Sequence, residues 1–100
     1  MSRPRKHRIV SVEPNVTYFK PRAVPLSELE EITLSVAELE SIRLCDFNAL
    51  GQAEAAKRMG VSQPTLNRLL KSARKKISDG LSNGKAIKIE GGNYKLEGAE

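Results

Sequence analysis

Apolar and polar positions change period several times along this chain. Arg8 to Val12 (RIVSV) alternates, and Val16 to Phe19 (VTYF) is rich in β-branched and aromatic side chains. Both predict short strands, with Pro14 between them. Pro21 and Pro25 mark a loop, and Ser27 is placed to cap a short helix through Glu31. From Ser35 the period becomes helical. Ser35 and Glu38 form an S-x-x-E capping box, and Val36, Leu39, Ile42 and Phe47 fall on the inward face of the helix they open. Asn48 to Gly51 turns the chain into a second helix. A long amphipathic helix follows and stops between Asp79 and Gly84, with Asn83-Gly84 as its stop signal. Ala86 to Glu90 (AIKIE), Gly91-Gly92-Asn93 and Tyr94 to Leu96 (YKL) predict a β-hairpin. It could cover the core, pair with RIVSV or pair with a second subunit.

Gln52 to Lys76 (QAEAAKRMGVSQPTLNRLLKSARKK) has a physical reason at each turn position. Ala53, Ala55, Ala56 and Met59 give the shorter helix small packing residues. Gly60 takes the positive φ that ends it, and Val61 is an apolar plug between the helices. Ser62 is an N-cap, and Pro64 falls in the first turn, where its missing N–H removes no internal bond. At about 100° per residue, Leu66, Leu69, Leu70, Ala73 and Ile77 share an arc of roughly 100°, the width of a core face. Pro64, Arg68, Lys71 and Lys75 lie almost opposite. Thr65 and Asn67 flank that arc near the N-terminus, and Arg74 and Lys76 flank it lower down. Seven Lys or Arg residues and no Asp or Glu occur between Lys57 and Lys76. This is the pattern of a helix-turn-helix whose second helix enters the DNA major groove. Base edges would meet Ser62, Gln63, Pro64, Thr65, Asn67 and Arg68, and phosphates would meet Lys71, Arg74 and Lys75. Asn67 suits adenine and Arg68 suits guanine. The competing reading is an ordinary amphipathic helix with a solvated basic face.

Composition narrows the classes. The chain has 100 residues, a net charge of +5 and a pI near 9.6, which favour one domain and a polyanionic partner. No apolar run reaches membrane-spanning length, and the basic N-terminus lacks the apolar stretch of a secretion signal, so the expectation is cytoplasmic with no membrane partner. The single Cys45 reads as a buried helix residue, with a redox sensor as the alternative. With His7 the only histidine, no zinc spacing exists, and neither a metal nor another cofactor is expected. Arg3, Arg5 and Lys6 around Pro4 form an extended basic arm suited to a narrow minor groove, or else a tail adding only non-specific attraction. Five acids and no base lie between Glu28 and Glu40, either a solvated helix face or a docking surface for a protein. No Ser/His/Asp order, convincing carboxylate pair or phosphate-binding glycine loop is present, so no enzyme is expected. RNA readers usually present aromatic platforms, and only Tyr18, Phe19, Phe47 and Tyr94 are available.

The order of RPRK, VTYFKP, VPLSELEEITLSVAELESIRL, QAEAAKRMGVSQPTLNRLL and NGKAIKIEGG resembles the small prokaryotic family catalogued as domain of unknown function 134, from Arg3 to Gly92. That family is described as predicted DNA-binding, and its central part is similar to the fourth region of sigma factors. Leu34-Ser35 to Ile42 resembles the leading helix of that region. Ser62-Gln63-Pro64-Thr65 resembles the start of its recognition helix, and Ser72-Ala73-Arg74-Lys75-Lys76-Ile77 its end. The resemblance implies recognition contacts from Gln63 to Arg68 and phosphate contacts from Lys71 to Lys75. The other sigma regions are missing, so a free-standing regulator is expected rather than an initiation factor.

Together these readings predict a mainly α, helix-turn-helix fold of the sigma region four-like, winged-helix-like class, with a small β element formed by the terminal segments. Residues 1–8 would be the arm, 9–84 the helix-turn-helix domain with its N-terminal β and loop segment, and 85–100 a C-terminal hairpin and tail. The expected function is sequence-specific binding of double-stranded DNA in transcription regulation. The alternatives are a sigma-like module that docks on RNA polymerase or another protein, and a non-specific architectural DNA binder. A homodimer is compatible with the first reading, because two half-sites multiply specificity.

Overall fold

The computed structural model describes residues 7–92 and 94–97. Strands β1 (Arg8–Val10), β2 (Tyr18–Phe19) and β3 (Glu31–Leu34) precede three helices, α1 (Val36–Ile42), α2 (Gln52–Met59) and α3 (Gln63–Asn83). Strands β4 (Ala86–Ile89) and β5 (Tyr94–Leu96) follow. The result is the mainly α fold with small β elements that the patterning predicts, and the helices carry its centre.

Each helix begins and ends where side-chain chemistry dictates. Ser35 Oγ accepts from the Glu38 amide at 3.1 Å while Glu38 Oε1 accepts from the Ser35 amide at 2.8 Å, so the capping box is closed in both directions. Helix α2 stops at Gly60 with φ +65°, and α3 stops at Gly84 with φ +66°. Ser62 caps α3 by accepting from the Thr65 amide at 3.2 Å, with Pro64 in the first turn.

Two apolar clusters share α3. Leu66 packs with Ala37, Leu44, Ala55, Ala56 and Met59, and partly buried Leu50, Val61 and Leu69 close that cluster around the helix-turn-helix. One helical stretch further on, Ala73 and Ile77 pack with Val10, Leu34, Val36 and Ile89 beneath the strands. All five positions of the predicted core arc therefore face inward. Each fully buried leucine among them contributes about 1.5–3 kcal/mol from the area removed from water.

Four expectations are corrected. Ser27 caps no helix: Leu26–Glu28 is a single 3-10 turn preceded by Pro25, and Leu29 is already extended. Glu31–Leu34 is a strand, with Glu31 and Thr33 exposed and Leu34 buried, so the β element includes an internal segment as well as the terminal ones. It forms because β4 offers it a parallel edge, with Ile32 beside Ile87 and Leu34 beside Ile89. The β-hairpin does not form. Strand β4 is central in the order β2-β4-β3, with both edges occupied. Gly91 (φ +75°) and Gly92 (φ +93°) carry the chain away instead. Strand β5 then pairs in parallel with β1, Arg8 beside Tyr94 and Val10 beside Leu96, which realises the pairing with RIVSV. Finally, Phe47 is 83% exposed rather than inward. After Ile42 the helix widens into a π turn, Arg43–Phe47, closed by the Asn48 amide on the Arg43 carbonyl at 2.8 Å. Wider turns advance fewer degrees per residue, so Leu44 takes the core position and Phe47 rotates out.

Candidate nucleic-acid interface

The short Gly60-Val61-Ser62 connection sets α3 against α2. The Val61 amide donates to the Ala56 carbonyl at 3.0 Å, which turns the Val61 side chain toward the shared cluster. Strand β1 supports the turn from outside. A Cβ on Gly60 would lie 3.3 Å from Ile9 Cδ1, so Ile9 packs directly on the glycine. Residues 3, 5 and 6 of the predicted basic arm lie outside the described residues.

Of the predicted contact residues, Ser62, Gln63, Pro64, Asn67, Arg68, Lys71, Arg74 and Lys75 are exposed on α3, and Thr65 is half-buried. The first turn is organised by side chains. Ser62 Oγ donates to Thr65 Oγ1 at 3.0 Å, and Arg68 Nη2 donates to the same oxygen at 3.3 Å. Arg68 is thereby drawn back toward the N-terminal turn. Arg68, Lys71 and Lys75 form one stripe and make no salt bridge among the described residues.

The other cations of the basic run are not equivalent. Lys76 turns inward and donates to both oxygens of buried Glu38 at 2.9 and 3.0 Å. Ser72 Oγ adds a third bond to Glu38 at 2.5 Å. Burial pushes the Glu38 carboxyl up, but the Lys76 and Ser72 hydrogen bonds, the Ser35 amide and the Lys76 charge outweigh it and hold it below the usual range. Arg74 makes a bidentate pair with Asp46, Nη2 to Oδ1 at 2.7 Å and Nε to Oδ2 at 3.1 Å. That hydrogen-bonded pairing keeps the Asp46 carboxyl low and the guanidinium charged. Arg74 is thus exposed but already partnered. An open groove of about 410 Å³ is lined by Gln52 at the start of α2 and by Asn67, Leu70, Lys71 and Arg74 of α3. Asp46 and Gln52 are additions that the sequence reading missed. No helical spacing links them to α3.

The acidic stretch is smaller than its sequence suggests. Glu40 is buried, accepting from Arg43 at 2.8 and 2.9 Å and from the Ser11 amide at 3.0 Å. Glu38 is buried as described. Only Glu28, Glu30 and Glu31 remain outside, with Glu31 bound by Tyr18 Oη at 2.6 Å and Glu30 3.7 Å from Lys85. Cys45 is half-buried against the helix-turn-helix cluster, and burial raises its thiol, which keeps it protonated at neutral pH. Among the described residues no group of three His, Cys, Asp or Glu side chains could hold a metal. No described helix is long and apolar enough to cross a membrane.

A family model described as "Protein of unknown function DUF134" matches residues 1–97. The chain belongs to the DUF134 family. It is 59% identical over 100 residues to a UPF0251 protein of Caldanaerobacter subterraneus subsp. tengcongensis, covering 100% of this chain and 85% of that relative. A UPF0251 protein of Methanosarcina acetivorans is 53% identical over 92 residues, covering 92% of this chain and 82% of the relative. One from Dehalococcoides mccartyi is 52% identical over 97 residues, covering 97% and 83%. No solved structure matches. The DUF134 match spans all three helices and both small sheets, so the whole of the fold described above falls within the family's extent.

Proposed function

We propose that this chain binds double-stranded DNA sequence-specifically and regulates transcription, with the N-terminal half of α3 in the major groove. The observation that carries the reading is the stripe of Arg68, Lys71 and Lys75, which makes no salt bridge among the described residues, next to exposed Gln63 and Asn67 on a helix whose opposite face is fixed in the core. Donors able to read base edges stand at the first turns, and point charges for phosphates stand further along. On this reading the protein is a cytoplasmic, non-enzymatic regulator that needs no cofactor and is suited to act as a homodimer. The sigma-like docking alternative loses ground, because two of the five acids that would form its docking face are buried in internal bonds.

Selection of bound sequences from a random duplex pool tests the proposal. The expected result is an enriched motif bound about a thousandfold or more tighter than random DNA. Arg68→Ala should weaken the selected site by about 1–3 kcal/mol and relax one base preference. Lys75→Ala should weaken all sequences alike and lower the salt slope by about one. A steep salt slope with no enriched motif would make the protein a backbone binder. Absence of duplex binding would overturn the reading.

A further inference from the structure

We propose that Asp46, which lies outside the helix-turn-helix, is a positioning residue that presents Arg74 to a single DNA phosphate seated in the groove between Gln52 and Lys71. The inference rests on the DNA-binding reading and deepens it.

Arg74 has five N–H donors, and the bidentate pair uses two of them, on Nε and Nη2. The remaining three belong to the outward edge of the fork. The Arg74 side chain is 53% exposed, and it lines the groove that Lys71, Asn67 and Gln52 also line. An unrestrained arginine on a helix surface samples many rotamers and loses that freedom on meeting a phosphate. The bidentate pair with Asp46 favours one of those rotamers before any phosphate arrives.

The carboxylate is itself rigidly mounted. It sits in the π turn closed by the Asn48 amide on Arg43, and the Leu50 amide then donates to the Leu44 carbonyl at 3.0 Å. Ala49 follows with φ +60°, an uncommon conformation for a residue with a Cβ. This π turn departs from regular helix where Asp46 must reach across to α3.

Asp46 brings an anion close to the phosphate, which opposes binding. Its own charge is offset by Arg74, however, and Lys71 leaves the groove net positive. Positioning and repulsion make opposite predictions, so mutation separates them. With the duplex selected from the random pool, Asp46→Asn should weaken binding about fivefold, and Arg74→Ala should weaken it by at least as much. In the Arg74→Ala background, Asp46→Asn should cause no further loss and should tighten binding slightly, because only the repulsion is left to remove. Arg74→Lys keeps the charge but cannot form the fork, so it should lose about as much as Arg74→Ala. This variant alters an exposed side chain and tests the proposal even if Asp46→Asn unfolds. Tighter binding by Asp46→Asn in the otherwise unchanged chain would overturn the proposal, as would equal losses in both backgrounds or full binding by Arg74→Lys. Each of those outcomes leaves the DNA reading standing. A wild-type chain that binds no duplex overturns both.

Discussion

Glu38 ties the start of α1 to the middle of α3, and its removal should be costly. In Glu38→Ala the Ser35 amide loses its capping partner, which costs about 1 kcal/mol. The bonds from Lys76 and Ser72 to a buried carboxylate go as well, costing about 1.5–3 kcal/mol. Lys76 keeps 36% of its side chain in water and can rehydrate, which favours the lower end. The sum is about 2.5–3 kcal/mol. At about 4–8 °C per kcal/mol for a domain of this size, the thermal midpoint should fall by roughly 10–20 °C. Glu38→Gln gives a second handle. It keeps a carbonyl acceptor for the Ser35 amide but loses the charge, and should cost about 1 kcal/mol at pH 7. The Glu38 carboxyl is held below its ordinary range in the folded protein. Its contribution is therefore complete above the ordinary glutamate range and is lost as pH falls through the lowered folded value. The gap between wild type and Glu38→Gln should close in acid. Far-UV circular dichroism melts from pH 7 to pH 3 read both effects. A Glu38→Ala shift below about 4 °C, or a Gln gap independent of pH, would refute the argument that this network joins the two helices.

Three other substitutions test the packing. Gly60→Ala combines a φ of +65° with a Cβ 3.3 Å from Ile9 Cδ1 and should destabilise by about 1–2 kcal/mol in urea unfolding. Gly80→Ala lies within α3, where alanine normally stabilises by about 1 kcal/mol, but its Cβ would stand 2.9 Å from Ile87 Cδ1 and Cγ1. Overpacking of about 1–3 kcal/mol should win, and a higher denaturation midpoint would contradict it. Phe47→Ser should change stability by less than about 0.5 kcal/mol, because the ring is 83% exposed; a loss of 2 kcal/mol or more would return Phe47 to the core.

The sequence by itself determined the features governed by local chemistry. The Ser35–Glu38 capping box, the Gly60 reversal, the Ser62 cap, the Gly84 stop and the inward arc of α3 all form as the residues predict, because each depends on neighbours within four positions. The candidate site was legible as a surface for the same reason: a helix with one fixed apolar face must turn its other side to solvent. Tertiary structure decided everything that depends on distant partners. Strand β3 exists because β4 lies beside it, and β5 leaves β4 because β2 and β3 already fill both edges. Period-2 alternation in Glu31-Ile32-Thr33-Leu34 was a readable signal, but its pairing was not. Charge was the least legible property. Lys76, Arg74 and Lys75 are three consecutive bases, yet one is drawn to a buried glutamate, one is held by Asp46 and one makes no salt bridge among the described residues. A formal charge is a property of the residue, whereas its availability to a ligand depends on which acids the fold brings within about 3 Å of it.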